Sequence, residues 1–270
     1  MAVEKHYVPQ IRSGAINGEK RGKTPRVKGL STKSLKIFVL ILAFFSVAAT
    51  TIFPHWLGTE SMAALTISVL SEIISWGALP LAAWLIVQGF EKTRSRFRYT
   101  VLLAGLSLVT QIPYSLATTG HVLDFSSVNF ACAGFITVCV LNVLARLDSA
   151  RAVYKLTTAW YAVLTVLTWV IGAVWMLMMR VGVRQKIAPL GVVFLGFAAI
   201  FYYLKNKENT MMLSAAVLGA LCMIAPGITV VALHFRNDEL GYDKNNSVVK
   251  YMFYLAYPLI LIVCVALAFV

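Results

Sequence analysis

Apolar residues in this chain come in long runs rather than in alternation, and the charges gather in the short segments between the runs. The hydrocarbon of a bilayer is about 30 Å thick, a helix rises about 1.5 Å per residue, and backbone amides in lipid must bond within their own segment. Runs of this length therefore predict membrane-crossing helices. The pattern places eight of them, at Leu35–Phe53, Met62–Phe90, Tyr99–Thr118, Leu123–Ala145, Tyr154–Met179, Ile187–Leu204, Met211–Phe235 and Tyr251–Val270. The period-two pattern of barrel strands is absent from them. The predicted fold is an all-α polytopic transmembrane helix bundle over residues 35–270. Before it lies a tail, residues 1–34, rich in Gly, Lys, Arg and polar side chains, which cannot build a core and is expected to be disordered. No small-residue cleavage site follows Leu35–Phe53, so that run reads as a retained anchor.

Composition agrees with a bilayer as solvent: 59% of the 270 residues are hydrophobic and 13% are charged. The charge that remains sets an orientation, because short cytoplasmic loops carry the excess of Lys and Arg. With the N-terminus inside, 18 basic residues fall in cytoplasmic segments (the tail through Lys36, Glu91–Arg98, Arg146–Lys155 and Lys205–Asn209) and six in external ones. The expected placement is a multi-pass protein of the inner (cytoplasmic) membrane with both termini in the cytoplasm. Arg180, Arg184 and Lys186 sit against this rule, so a missed or re-entrant segment there would invert everything after it. A net charge of +13 on one side of such a protein points to anionic lipid headgroups, not to nucleic acid.

Cys132, Cys139, Cys222 and Cys264 all lie within runs, without metal-type spacing, and read as packing residues. No P-loop or internal repeat is visible. Three of the four histidines, His55, His121 and His234, fall near run ends beside Glu60, Asp124, Asp238 and Glu239. Their spacing matches no metal motif, and a solvated surface is the simpler reading; no metal site is assigned.

Polar chemistry inside the runs is sparse, which makes Glu72 stand out. It is the one acidic residue deep in a run, ten residues from the start of Met62–Phe90, and an intramembrane carboxyl marks a functional site by default. Ser75 and Trp76 share its helix face at i+3 and i+4. Pro80 then removes an amide donor and frees the carbonyl of Trp76. At 29 residues the run is too long for the bilayer, so it must tilt, kink or break, and Gly77–Pro80 is the natural place. Further polar or breaking positions are Gln88, Gln111 with Pro113, Asn129, Pro226-Gly227, and Tyr254 and Tyr257 with Pro258. Each either joins helices by hydrogen bonds or lines a site.

Several stretches occur in the order of a known family. They are Leu35-Lys36-Ile37-Phe38-Val39-Leu40-Ile41-Leu42 reaching Ile52-Phe53-Pro54, and Ala78-Leu79-Pro80-Leu81-Ala82-Ala83-Trp84 leading to Gln88-Gly89-Phe90-Glu91-Lys92-Thr93-Arg94-Ser95-Arg96. Gln111-Ile112-Pro113-Tyr114 and Phe253-Tyr254-Leu255-Ala256-Tyr257-Pro258-Leu259 complete the set. In these the chain resembles the TraX family of multi-pass membrane proteins, whose namesake N-acetylates pilin subunits of a conjugative plasmid. The resemblance implies a bacterial cell-membrane protein that moves an acetyl group from acetyl-CoA to a membrane-associated or exported acceptor, an envelope or pilus protein among them. Arg94, Arg96 and Arg98 would then meet the CoA phosphates. The chain departs from the family at its Asp-His pair, which is Ser46-Val47 here, at a Gly-Arg that is Ser75-Trp76, at an acidic residue that is Gln88, and at a C-terminal His that is Ile260. Glu72 is left as the local general base. Two other readings stand beside this one: a non-catalytic scaffold of an envelope or export complex, and a proton-coupled transporter using Glu72.

Overall fold

The computed structural model describes residues 29–58, 61–182, 189–222, 224–237, 239–243 and 247–268. Most of the tail, and Glu60, Arg184, Lys186, Asp238 and Val270, lie outside them. The described residues form an all-α bundle in which six stretches are long and apolar enough to cross a membrane. In chain order the helices are α1 (Thr32–Thr50), α2 (Ile52–Leu57), α3 (Met62–Ser75), α4 (Ala78–Lys92), α5 (Arg96–Thr119), α6 (Phe130–Tyr154), α7 (Thr158–Met178), α8 (Leu190–Tyr203), α9 (Glu208–Cys222), α10 (Ile224–His234) and α11 (Ser247–Ala268). Hydroxyls start three of them: Ser31, Ser95 and Thr157 accept from the amides of Ser34, Arg98 and Trp160. Gly120 ends α5 in the left-handed conformation, φ 73°, which costs a glycine little.

Three expected runs change shape, each for a local reason. Met62–Phe90 is two helices, α3 and α4, interrupted at Trp76–Gly77 where the sequence placed a break. Leu123–Ala145 begins as helix only at Phe130. Asp124 takes the amide and hydroxyl of Ser126 (2.7 and 2.9 Å), a local turn that competes with helix, so residues 121–129 pass irregularly back along α5. The largest change is in Met211–Phe235.

That run does not cross the bundle. It folds into a hairpin of α9 and α10, whose backbones touch at two glycines: a Cβ built on Gly219 would stand 2.6 Å from the amide nitrogen of Gly227. Small residues let helix backbones meet this closely, and Pro226 cannot continue the α9 hydrogen-bond ladder. Because the chain doubles back, Glu208 at the start of α9 pairs with Arg236 beyond the end of α10 at 3.1 Å. The returning segment lies beside the start of α1, where Leu30 N–H donates to Phe235 C=O (2.8 Å) and Thr32 N–H to Glu239 C=O (2.7 Å). From there α11 runs the full depth of the bundle to α2, where Trp56 Nε1 donates to the Leu267 carbonyl (3.0 Å).

Six stretches rather than the expected eight are long and apolar enough to cross, and the run Met211–Phe235 doubles back on itself. The first described residues and the end of α11 lie at opposite ends of the bundle. α8 is 14 residues long and runs from Val181 at one end of the bundle to the Lys205–Glu91 ion pair (2.6 Å) at the other. Arg236 joins Lys36, Lys92, Arg96 and Lys205 at one end, called the basic face here, so the hairpin sharpens the charge asymmetry that orients membrane proteins. The centre is filled by α4, α6 and α8, with Leu81, Phe90, Ile136, Leu141, Phe194, Phe197 and Phe201 buried.

Reporter fusions test the hairpin. Fusions after Lys207 and after Asn237 should report the same side of the membrane, and a fusion at the C-terminal end the other; opposite signals at the first two would mean that α9–α10 crosses. Gly219→Leu should destabilise the protein by about 1–3 kcal/mol, as overpacking does, lowering the thermal midpoint measured in detergent.

Candidate functional site

Among the described residues one cavity stands out, a half-open chamber of about 880 Å³ between α1, α3, α4, α5, α6, α8 and α11. That is the upper part of the range of small-molecule sites. Its wall is mostly apolar, and its few polar groups are graded along its length.

At the basic face the mouth carries Thr32, Lys36, Lys92, Thr93 and Tyr242. The Lys36 ammonium donates to the Tyr242 hydroxyl (3.0 Å) and lies 5.2 and 5.0 Å from the ring centres of Tyr242 and Phe253, so aromatic rings and one hydrogen bond hold a cation at the rim. Further in, Gln88 and Tyr254 line the wall. Neither the Gln88 amide nor the Tyr254 hydroxyl hydrogen-bonds to any described residue.

At the inner end stands Glu72. It is 5% exposed, and both carboxyl oxygens are engaged: Ser46 Oγ donates to Oε2 (3.2 Å) and Trp76 Nε1 to Oε1 (3.3 Å). Ser75 Oγ donates to the Glu72 carbonyl (2.6 Å), which ties the end of α3 to the break. The break is held from outside by the hairpin. Thr229 Oγ1 donates to the Gly77 carbonyl (2.8 Å), and a Cβ on Gly77 would stand 2.7 Å from the Thr229 methyl, so only glycine admits this approach. Lys36 and Ser46 are ten residues apart on one straight helix, about 15 Å of rise between the mouth and the carboxyl.

Of the residues singled out in the sequence, Glu72, Ser75, Trp76, Gln88, Tyr254 and Tyr257 all line this chamber. Gln111 and Asn129 do not; they form a clasp on the irregular segment before α6. Gln111 Nε2 donates to the carbonyls of Asp124 (2.8 Å) and Ser127 (3.1 Å), while its Oε1 accepts from the Asn129 amide (3.1 Å) and from Asn129 Nδ2 (2.8 Å). Asn129 Nδ2 also donates to the Ser107 carbonyl (2.7 Å). Arg94, Arg96 and Arg98 stand on the basic face beside Thr93, outside the chamber lining; the Arg96 guanidinium lies 4.8 Å from the Phe90 ring centre.

Lys36, Lys92 and Tyr242 were not named as site residues, and Ser46 was named only as the residue standing at the family's Asp-His pair. Lys36 carried a signal, a cation at the start of an apolar run, but nothing in the order of residues brings Ser46 to Glu72 or Tyr242 to Lys36. The histidines separate: His55 lies in α2, at the end opposite the basic face, whereas His234 ends α10 at the basic face. No protein-family model, curated protein or solved structure matches the chain.

Two measurements check the clasp. Gln111→Ala leaves buried backbone groups unpaired at about 1–3 kcal/mol each, so the thermal midpoint should fall well below that of the lipid-facing control Ile112→Ala. The Ser126 amide and hydroxyl hold the Asp124 carboxyl below its ordinary range. Its contribution to the turn is therefore full above the ordinary carboxylate range and is lost as pH falls through the lowered folded value. Hydrogen exchange at the Ser126 amide should accelerate over that acid window and show no such step in Asp124→Asn.

Proposed function

We propose that this protein is a membrane-embedded acyltransferase that carries an acetyl group from acetyl-CoA at the basic face to an acceptor held at Glu72. The observation that carries the reading is the single chamber joining Lys36 and Lys92 at its mouth to Glu72 at its inner end. Phosphates match the two ammonium groups and the neighbouring Arg94. The amide-bearing arm of CoA needs partners along an otherwise apolar wall, and Gln88 and Tyr254 offer them. At the inner end Glu72 accepts the proton of an acceptor hydroxyl or amine as that group attacks the thioester carbonyl. A carbon–oxygen or carbon–nitrogen bond forms, the carbon–sulfur bond breaks, and the CoA thiolate takes up the proton from Glu72. Ser46 and Trp76 hold the carboxylate in place for this.

The likeness to the TraX family supports the same reading at one telling position. Ser46 stands where that family carries the first residue of its Asp-His pair, and here Ser46 donates to Glu72. The acid is supplied from α3 to the place where the family carries it on its opening helix. By the positive-inside rule the basic face is cytoplasmic, where acetyl-CoA is available, and it rests on anionic headgroups of the inner membrane.

Purified protein incubated with labelled acetyl-CoA and an envelope extract should transfer label. Glu72→Gln should lower transfer by about 100-fold or more while leaving CoA affinity unchanged. Lys36→Gln and Lys92→Gln should each weaken CoA binding by about tenfold, the size of a charge-assisted hydrogen bond. Absence of CoA affinity by calorimetry in the wild-type protein would replace this reading with that of a non-catalytic scaffold.

A further inference from the structure

The chamber does not end at Glu72 as a polar cleft would. Its inner wall on the α6 and α8 side is made of Phe130, Ala131, Gly134, Leu190 and Phe194. Phe130 and Leu190 are the first residues of their helices, which both begin at the end remote from the basic face, so this wall lies at the inner end, with Glu72. The rings of Phe130 and Phe194 meet edge to face at 5.1 Å between centres and make one surface. Gly134 lets Ile86 approach to 3.2 Å from where its Cβ would be, and among the described residues no hydrogen-bonding side chain interrupts the patch.

An extended polypeptide or a sugar placed there would leave its polar groups unpaired, at a cost of about 1–3 kcal/mol for each group. A hydrocarbon chain would lose nothing, and the medium surrounding the bundle is hydrocarbon. The polar part of such an occupant goes to the corner where Glu72, Ser46 and Ser75 stand with Tyr114 and Tyr257. We infer that the acceptor is a long-chain amphiphile of the membrane carrying a hydroxyl or primary amine, with its chain against Phe130, Ala131, Leu190 and Phe194 and its polar group at Glu72. This names the acceptor class for the acyl transfer proposed above and rests on that reading for the reaction, though not for the binding.

The test separates the two. Protein in phosphatidylcholine nanodiscs is exposed to a long-chain alcohol bearing a diazirine on its chain, and cross-linked peptides are mapped. Cross-links should fall on residues 130–134 or 190–194 and be abolished by excess unlabelled alcohol, which a bulk-lipid contact would not be. Ala131→Trp should abolish them, and Ala131→Leu, a milder filling of the same wall, should reduce them several-fold. Trp160→Ala on the outward face of α7 should leave them unchanged. Cross-links confined to outward faces, or indifferent to both Ala131 variants, would overturn the inference. In parallel, label from acetyl-CoA is partitioned between organic and aqueous phases. Saturable chamber cross-linking without transfer to any acceptor would remove the acyltransferase reading and keep the site; transfer to a water-soluble acceptor without chamber cross-links would do the reverse.

Discussion

In a medium without water, each backbone group that leaves the helical ladder must find another partner, and this constraint explains every irregular feature of the bundle. At the α3–α4 break the carbonyl of Gly77, the residue that caps α4, also accepts from Thr229 of the hairpin. The non-helical stretch before α6 exposes the carbonyls of Asp124 and Ser127 and the amide of Asn129, and one side chain, Gln111, serves all three. At the approach of residues 180–182, Val128 accepts from the Gly182 amide and donates to the Arg180 carbonyl. The scarce polar residues of the apolar runs are thus spent largely on backbone repair. Of the others, Ser46, Glu72 and Gln88 line the chamber, whereas Ser68, Thr137 and Thr165 lie outside it.

The same economy makes Glu72 informative. A carboxyl in the interior of such a bundle costs several kcal/mol unless it is paired or hydrogen-bonded, and here an alcohol and an indole both donate to it. Its setting depends on the break, since Trp76 is both the residue that ends α3 and a donor to the carboxyl. The break in turn depends on the hairpin through Thr229 and Gly77. Backbone contact between Gly219 and Gly227, remote from the chamber, is therefore connected to the geometry of the acid through a short chain of packed groups.

The chamber is asymmetric in a way that suits chemistry between two phases. Cations and rings stand at the basic face, unpartnered polar groups in the middle, and an acid against an apolar wall at the inner end. A water-soluble anionic donor and a hydrocarbon-borne acceptor could meet there without either leaving its own medium.

The sequence by itself determined the class of fold, because runs of apolar residues long enough to cross hydrocarbon have few other soluble or membrane solutions. It also pointed to the interruption near Gly77 and to Glu72 as a carboxyl within the bundle, since proline, excess length and an isolated carboxyl are local signals. It did not distinguish a crossing helix from a hairpin at Met211–Phe235: hydropathy counts apolar residues, whereas the turn depends on Gly219 meeting Gly227 and on Glu208 meeting Arg236. With that hairpin, the start of α1 and the end of α11 lie at opposite ends of the bundle. Gln111 and Asn129 read equally well as site or as glue, and only their partners in space assigned them to the clasp. The pairing of Ser46 with Glu72 and of Lys36 with Tyr242 was likewise decided by tertiary structure alone, because helices from distant parts of a chain meet through packing that no local pattern encodes.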